Sequence, residues 1–233
     1  MPTPVTIVQR PQPAPAPDRS DLAAASDSLE SASAADVVRW AWDRYGSGMV
    51  VTSSFQDCVL LDVVASAAPR AQVVFLDTQY HFPETLAYVE QVQDRYGLNL
   101  RVIRPQVDAD DRWRDDPDGC CGVRKVEPLR RALAGRSAWV TGLRRADGPT
   151  RASIPVVGHD AKTGTVKVNP LATWSDDDVA DYVRRRELPV HPLTSEGYAS
   201  IGCWPCTRPV GDGDDPRAGR WPGMGKTECG LHR

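Results

Sequence analysis

The sequence predicts an α/β fold: a mostly parallel, twisted sheet flanked by helices and followed by a mobile C-terminal tail. Three observations predict it. Short apolar runs alternate with stretches of helical periodicity between residues 31 and 186. Polar residues follow three of those runs, at Ser53-Ser54, Asp77-Thr78 and Gly142-Leu143-Arg144-Arg145, and such folds bind ligands at the carboxyl ends of their strands. Beyond residue 187 the periodicity stops and the chain becomes loop-like, rich in glycine and proline.

The elements follow in order. Residues 1–30 form a Pro/Ala-rich head that is expected to be disordered. Residues 31–45 read as an amphipathic helix, with Val37, Val38, Ala41 and Trp42 at helical spacing. Residues 49–52 form a buried strand, and the helix after it faces the core through Val59, Leu60, Val63 and Val64. A second strand spans 72–76. Pro83 opens a helix running to Tyr96, a favoured place for proline. A third strand covers 98–103. Residues 123–133 are helical with Pro128 inside, where a kink is expected. Strands at 138–141 and 165–168 come next. Ser175 caps a helix to about Arg186 whose first turn carries Asp176, Asp177 and Asp178, where the helix dipole favours negative charge. The organisation is a head (1–30), one α/β domain (31–207) and a flexible tail (208–233).

Bulk properties narrow the function. With 28 Lys and Arg against 31 Asp and Glu, the net charge is −3, unlike that of a non-specific nucleic-acid binder. No apolar run approaches the ~20 residues of a membrane span, and the start of the chain lacks an apolar signal core, so a cytoplasmic protein is expected. In that compartment six cysteines point to metal binding or catalysis rather than to a disulfide framework.

The cysteines divide into groups. Cys120-Cys121 and Cys203-Trp204-Pro205-Cys206 are two tight pairs, and four thiolates are the usual ligand set of a [4Fe–4S] cluster. Adjacent thiolates chelate a single ion poorly but can reach two irons of one cube. Zinc and redox dithiols are the alternatives. Arg124 and Lys125 stand ready to support the thiolates, or simply to face solvent at a helix start. Cys58, inside an apolar run, reads as a core residue. Cys229 sits near the end of a glycine-rich stretch that, fully extended from Cys206, would span roughly 70 Å. It reads as a mobile nucleophile whose ionisation Lys226 and His232 would favour. Arg144, Arg145, Arg151, Arg217 and Arg220 lie at strand ends or in Gly/Pro loops, and arginine grips phosphate and sulfate oxygens bidentately. Ser53-Ser54-Phe55-Gln56-Asp57 is placed like a nucleotide loop, although it has no Walker lysine and an ordinary helix cap explains it equally well.

Six segments in order resemble the APS/PAPS reductase family, and within it the assimilatory adenylyl-sulfate (APS) reductases of the iron–sulfur type. They are Thr52-Ser53-Ser54-Phe55-Gln56-Asp57, the stretch from Leu76-Asp77-Thr78 to Glu84-Thr85, Cys120-Cys121-Gly122-Val123-Arg124-Lys125, Thr141-Gly142-Leu143-Arg144-Arg145, Cys203-Trp204-Pro205-Cys206 and Glu228-Cys229-Gly230-Leu231-His232. The resemblance spans residues 31–232 and implies an adenine nucleotide alpha-hydrolase-like fold. It implies that Cys229 attacks the sulfonyl sulfur of APS, expels AMP and holds an S-sulfocysteine that thioredoxin, or a similar thiol donor, resolves to sulfite. Lys125, Arg217, Arg220 and His232 would neutralise charge. Ser53, Ser54, Leu76, Thr78 and Gly142 would line the nucleotide pocket, with Arg145 and Arg151 on phosphate. Cys120, Cys121, Cys203 and Cys206 would hold one [4Fe–4S] cluster. Homo-oligomers are common in such a family. A PAPS reductase, or a cluster- or zinc-bearing redox or binding module without turnover, would be the alternatives; the paired cysteines favour APS.

Overall fold

The computed structural model describes residues 19–211, 213–226 and 228–232. Six strands form one sheet in the order β3-β2-β1-β4-β6-β5. These are β1 (Met49–Ser53), β2 (Gln72–Leu76), β3 (Asn99–Ile103), β4 (Ala138–Val140), β5 (Val157–Asp160) and β6 (Thr165–Val168). All neighbours pair in parallel except β5, which runs antiparallel to β6 at one edge.

The central strand β1 buries residues on both faces, as a covered parallel sheet requires. Met49 and Val51 join the larger core with α2 (Ala34–Tyr45), α3 (Val59–Ala67) and α4 (Pro83–Tyr96). Val50 faces the opposite side and joins Val74, Ile103 and Trp139 under α7 (Glu127–Leu133). Strand order steps outward from β1 to β3 and then reverses, with β4 on the other flank of β1. A crevice opens at such a reversal, between the carboxyl ends of the two diverging strands. Here those ends are Thr52-Ser53 and Thr141-Gly142.

Two parts of the predicted organisation need correction. Residues 19–29 of the head are not disordered: α1 (Arg19–Leu29) packs on β5, with Leu22 buried and the Val157 amide donating to Ser26 Oγ at 3.2 Å. The earlier residues of the head lie outside the described residues. The edge strand β5 was not foreseen. Gly158, His159 and Asp160 give it no apolar alternation, and it exists because a hairpin turn holds it, with Asp160 Oδ1 accepting from the amides of Lys162 and Thr163.

The helix carrying the adjacent cysteines is also irregular. After α5 (Arg112–Asp115), α6 (Pro117–Cys121) continues into a π-helical turn (Gly122–Val126) and then α7. The Glu127 amide reaches back to the Gly122 carbonyl, one residue further than in an α-helix. Pro128 follows directly. Its ring would clash with the carbonyl four residues earlier in a regular helix, and the wider turn removes that clash. The helix thus continues through the predicted kink. α8 (Asp176–Arg186) begins at Ser175, whose Oγ accepts from the Asp178 amide at 3.1 Å. Among the described residues no helix is long and apolar enough to cross a membrane.

Leu61 of α3 is fully buried, so Leu61→Ala should lower the unfolding free energy by about 2–5 kcal/mol in chemical denaturation. Arg39→Ala, which removes an exposed pair with Asp36 on α2, should stay within about 0.5 kcal/mol of the parent chain.

Candidate active site

The crevice is a cavity of about 610 Å³. One wall comes from the loops after β1, β2 and β4. Ser53, Ser54, Leu76, Thr78 and Gly142, the residues expected to line a nucleotide pocket, all line this cavity. The loop after β1 is held in shape from within. Phe55 adopts a left-handed backbone (φ 55°) because its ring is buried edge-on against Phe75, at 5.3 Å, and its amide donates to Ser53 Oγ at 3.0 Å. Asp57 Oδ1 accepts from the Val59 amide at 3.0 Å, which starts α3. Gln56 Oε1 accepts from the Ile201 amide at 3.0 Å and ties this loop to the second cysteine pair.

The opposite wall is the tail. Arg217, Arg220, Glu228, Cys229 and His232 line the same cavity as those loops, together with Lys125 from the π turn. Sequence positions 125 and 229 are thereby brought together. The tail packs as well as reaches. Arg220 bridges to Thr207, Trp221 is buried, and a Cβ on Gly219 would stand 2.1 Å from the Arg208 carbonyl. That glycine serves close backbone packing rather than freedom. On the far side of Cys229, Leu231 packs against the core under α7 and the His232 ring stacks on Trp139 at 5.2 Å.

Electrostatics distinguish the basic residues. Burial works against the charge of Lys125, but the neighbouring sulfurs of Cys203, Cys229 and Cys121, where ionised, outweigh it and raise its pKa above the ordinary lysine value. Burial lowers that of Arg220 despite attraction from Cys203, and its Nε is a buried donor without a partner. A Cβ on Gly202 would meet the Arg220 guanidinium at 2.3 Å, so any side chain there would displace it. His232 behaves differently from the expected charge-neutralising group. Burial, reinforced by Lys167, Arg151 and Arg217, holds its imidazole neutral in this arrangement, and Lys167 Nζ lies 3.3 Å from its Nδ1.

Arg145 is not among the cavity-lining residues. It forms an ion pair with Glu30 and donates from Nε to the Ile154 carbonyl at 2.9 Å, so it fastens α1 to the domain instead. Its neighbour Arg144 lines the cavity and pairs with Asp147 and Asp176, each at 2.9 Å. Arg151 lines the cavity as predicted but is engaged by Glu228, which sequence reading missed. The available signal was a carboxylate directly beside Cys229 in a chain with several arginines at strand ends and in Gly/Pro loops.

The other four cysteines are buried and line one smaller cavity with Tyr80, Arg124, Lys125 and Trp221. Burial, then Cys121 and Cys203, push the Cys120 thiol up to about 11. Burial also raises Cys121 and Cys206, against the pull of Lys125. Thr78 Oγ1 lies 3.3 Å from Cys203 Sγ, joining this cavity to the crevice. Among the described residues no group of three His, Cys, Asp or Glu side chains is arranged to hold a metal ion. Arg124 is buried rather than solvated: it stacks over Tyr80 at 4.6 Å and donates to the Asp108 carbonyl at 2.6 Å. Cys58 is buried, as expected of a core residue, and stands directly before α3.

Comparison with known proteins agrees with this geometry. The family described as Phosphoadenosine phosphosulfate reductase domain matches residues 48–209. An adenosine 5′-phosphosulfate reductase of Streptomyces coelicolor is 47% identical over 212 residues, covering 88% of this chain and 90% of the relative. A crystal structure of phosphoadenylyl-sulfate reductase from Candida auris, a phosphate complex, superposes with a TM-score of 0.74 at 28% identity, covering 82% of this chain and 98% of that one. An FMN adenylyltransferase from Candida glabrata shares the fold alone, with a TM-score of 0.56 at 16% identity, over 84% of this chain and 77% of that one.

His232, His81 and His191 are all held below the ordinary histidine value, chiefly by burial. The unfolded chain then binds protons that the folded chain does not, so stability is full above about pH 6.5 and falls as the pH drops below it. Each contributes at most about 1.4 kcal/mol per pH unit. His232→Gln should therefore flatten the slope of unfolding free energy against pH below about pH 6.5. An unchanged slope would place the titration elsewhere.

Proposed function

The chain belongs to the phosphoadenosine phosphosulfate reductase domain family, and from that premise we propose that it reduces adenosine 5′-phosphosulfate to sulfite and AMP with a thioredoxin-type dithiol as reductant. The carrying observation is that Cys229 shares one cavity with the loops after β1, β2 and β4 and with Lys125, Arg217, Arg220 and His232. A thiolate there can reach a sulfonyl group whose nucleotide lies along those loops.

The reaction runs in two displacements. The Cys229 thiolate attacks the substrate sulfur, an S–S bond forms, the S–O bond to phosphate breaks, and AMP leaves with that electron pair. A thiolate of the dithiol then attacks Sγ of the S-sulfocysteine, and sulfite departs with the electrons of the broken S–S bond. The second thiol of the dithiol frees Cys229 and becomes half of the reductant's disulfide. Two electrons pass from the dithiol to sulfur. Lys125 and Arg220 meet the developing negative charge where solvent is scarce, which strengthens their effect. The neutral His232 offers one ring N–H to an oxyanion while its Nδ1 faces Lys167. Segment 208–233 acts as the carrier of the nucleophile, which reaches solvent to meet the reductant. Such a reductant places the protein in the cytoplasm.

Cys120, Cys121, Cys203 and Cys206 fit a [4Fe–4S] cluster by their chemistry: four buried thiols around one cavity, with Lys125 and Arg124 beside them. Bound there, it would shape the field felt by Lys125 and the substrate. The paired cysteines favour APS over its 3′-phosphorylated analogue PAPS, the substrate named for the Candida auris neighbour.

Anaerobically purified protein, given thioredoxin and either nucleotide, should release sulfite from APS far faster than from PAPS. A preference for PAPS would keep the chemistry and reverse the assignment, and no sulfite from either would remove the reductase reading. Cys229→Ser should abolish sulfite release and leave nucleotide binding intact. Cys203→Ser should lose the brown colour and iron content; a colourless, zinc-replete parent protein would overturn the cluster.

A further inference from the structure

Arg151 faces the crevice, yet its donors are engaged by the tail. Its Nε donates to Glu228 Oε1 at 3.1 Å, and Nη2 reaches Oε1 at 2.9 Å and Oε2 at 3.0 Å. Its Nη1 donates to Asp147 Oδ2 at 3.0 Å. Arg217 adds a second cation, 3.7 Å from Glu228 Oε2, and Thr150 Oγ1 lies 3.4 Å from Oε1. The Arg151 and Glu228 side chains are only 12% and 11% exposed, so solvent screens the pair weakly.

We propose that Glu228 is the positioning residue of the tail: its carboxylate docks on Arg151 and Arg217 and so holds the neighbouring Cys229 thiol inside the cavity, facing Lys125. The inference rests on the proposed role of Cys229 and deepens it. Gly223, Gly225 and Gly230 all have left-handed backbones (φ 76°, 58° and 85°), so the segment bearing the thiol is built from residues with little conformational preference. A thiol on such a segment stays in one place only if both sides are fixed. Leu231 and His232 fix one side by packing on the α7 core and on Trp139. Glu228 fixes the other by a bidentate, charge-assisted contact, the strongest geometry that arginine offers a carboxylate. Arg151 belongs, on this reading, to the docking of the nucleophile rather than to the phosphate.

The test measures tail closure without turnover. In the full-length protein, alkylation of Cys229 by iodoacetamide is followed by mass spectrometry of the C-terminal peptide, alongside amide hydrogen exchange over 222–232. Glu228→Gln should speed both about tenfold, the factor that loss of one charge-assisted contact supports. Exchange carries the geometric claim, because it does not respond to thiol ionisation. Arg151→Gln should do the same, and Glu228→Asp should restore most of the protection. With APS, Glu228→Gln should lower kcat about tenfold and leave KM within about twofold, as expected of a group that places the nucleophile without binding substrate. Parent-like exchange in both variants would overturn the proposal, as would a raised KM with protection intact. Accelerated exchange in both variants of a parent chain that proved inactive would keep the docking role and remove the reductase reading. Full activity with unaltered exchange would do the reverse.

Discussion

One half-buried ammonium group links the two cavities of this molecule. Lys125 borders both cavities, the crevice and the space between the paired cysteines. A charge drawn partly out of water is costly unless negative groups stand near it, and the sulfurs of Cys203, Cys229 and Cys121 favour that charge when they ionise. The cation comes from the π turn, one sulfur from α6, one from the second cysteine pair and one from the tail. Each is placed by a different part of the chain, and none sits well without the others. The crevice, the paired-cysteine cavity and the tail all meet at this one side chain.

Much of this was legible in residues alone, for identifiable reasons. β2, β6 and α4 carry apolar runs or proline and glycine punctuation, and their bounds coincide with the predicted ones. α1 and β5 escaped because neither carries a pattern of its own: α1 packs on β5, and β5 is held by its hairpin with β6. α1 is polar, with only Leu22 and Ser26 buried, and β5 has no alternation, so the signal lies in their pairing. Arg144 and Arg145 show a finer limit. Adjacent arginines look equivalent in a sequence, but the turn that follows aims one at the crevice and the other at Glu30. The cysteines divide in the fold as they do along the sequence: the four paired ones line one cavity, Cys229 lines the crevice, and Cys58 is buried at the start of α3.

The tail shows how glycine serves two opposite ends within a few residues. Gly219 lets two backbones approach more closely than any side chain permits, which fixes the base of the tail against Arg208. Gly223, Gly225 and Gly230 supply left-handed turns that bring the chain back over the crevice. Composition alone reads all of them as looseness. In the structure the looseness is confined between fixed points, so that Cys229 is attached by a short span with a defined base and a defined end.

The π turn also sets an angular register. An α-helix advances about 100° per residue, and one extra residue within a turn rotates everything before it by that amount relative to everything after it. Cys120 and Cys121 precede the turn, and Leu129 and Leu133, which seat α7 against the sheet, follow it. A chain shortened by one residue between Gly122 and Val126 would keep a good helix, a good core and all six cysteines. It would nonetheless swing the adjacent pair about a quarter of the way round the helix axis, away from Cys203 and Cys206. That the two pairs border one cavity is thus a matter of helical phase as much as of composition, and a single residue of length separates a chain whose four thiols share a lining from one that merely contains them.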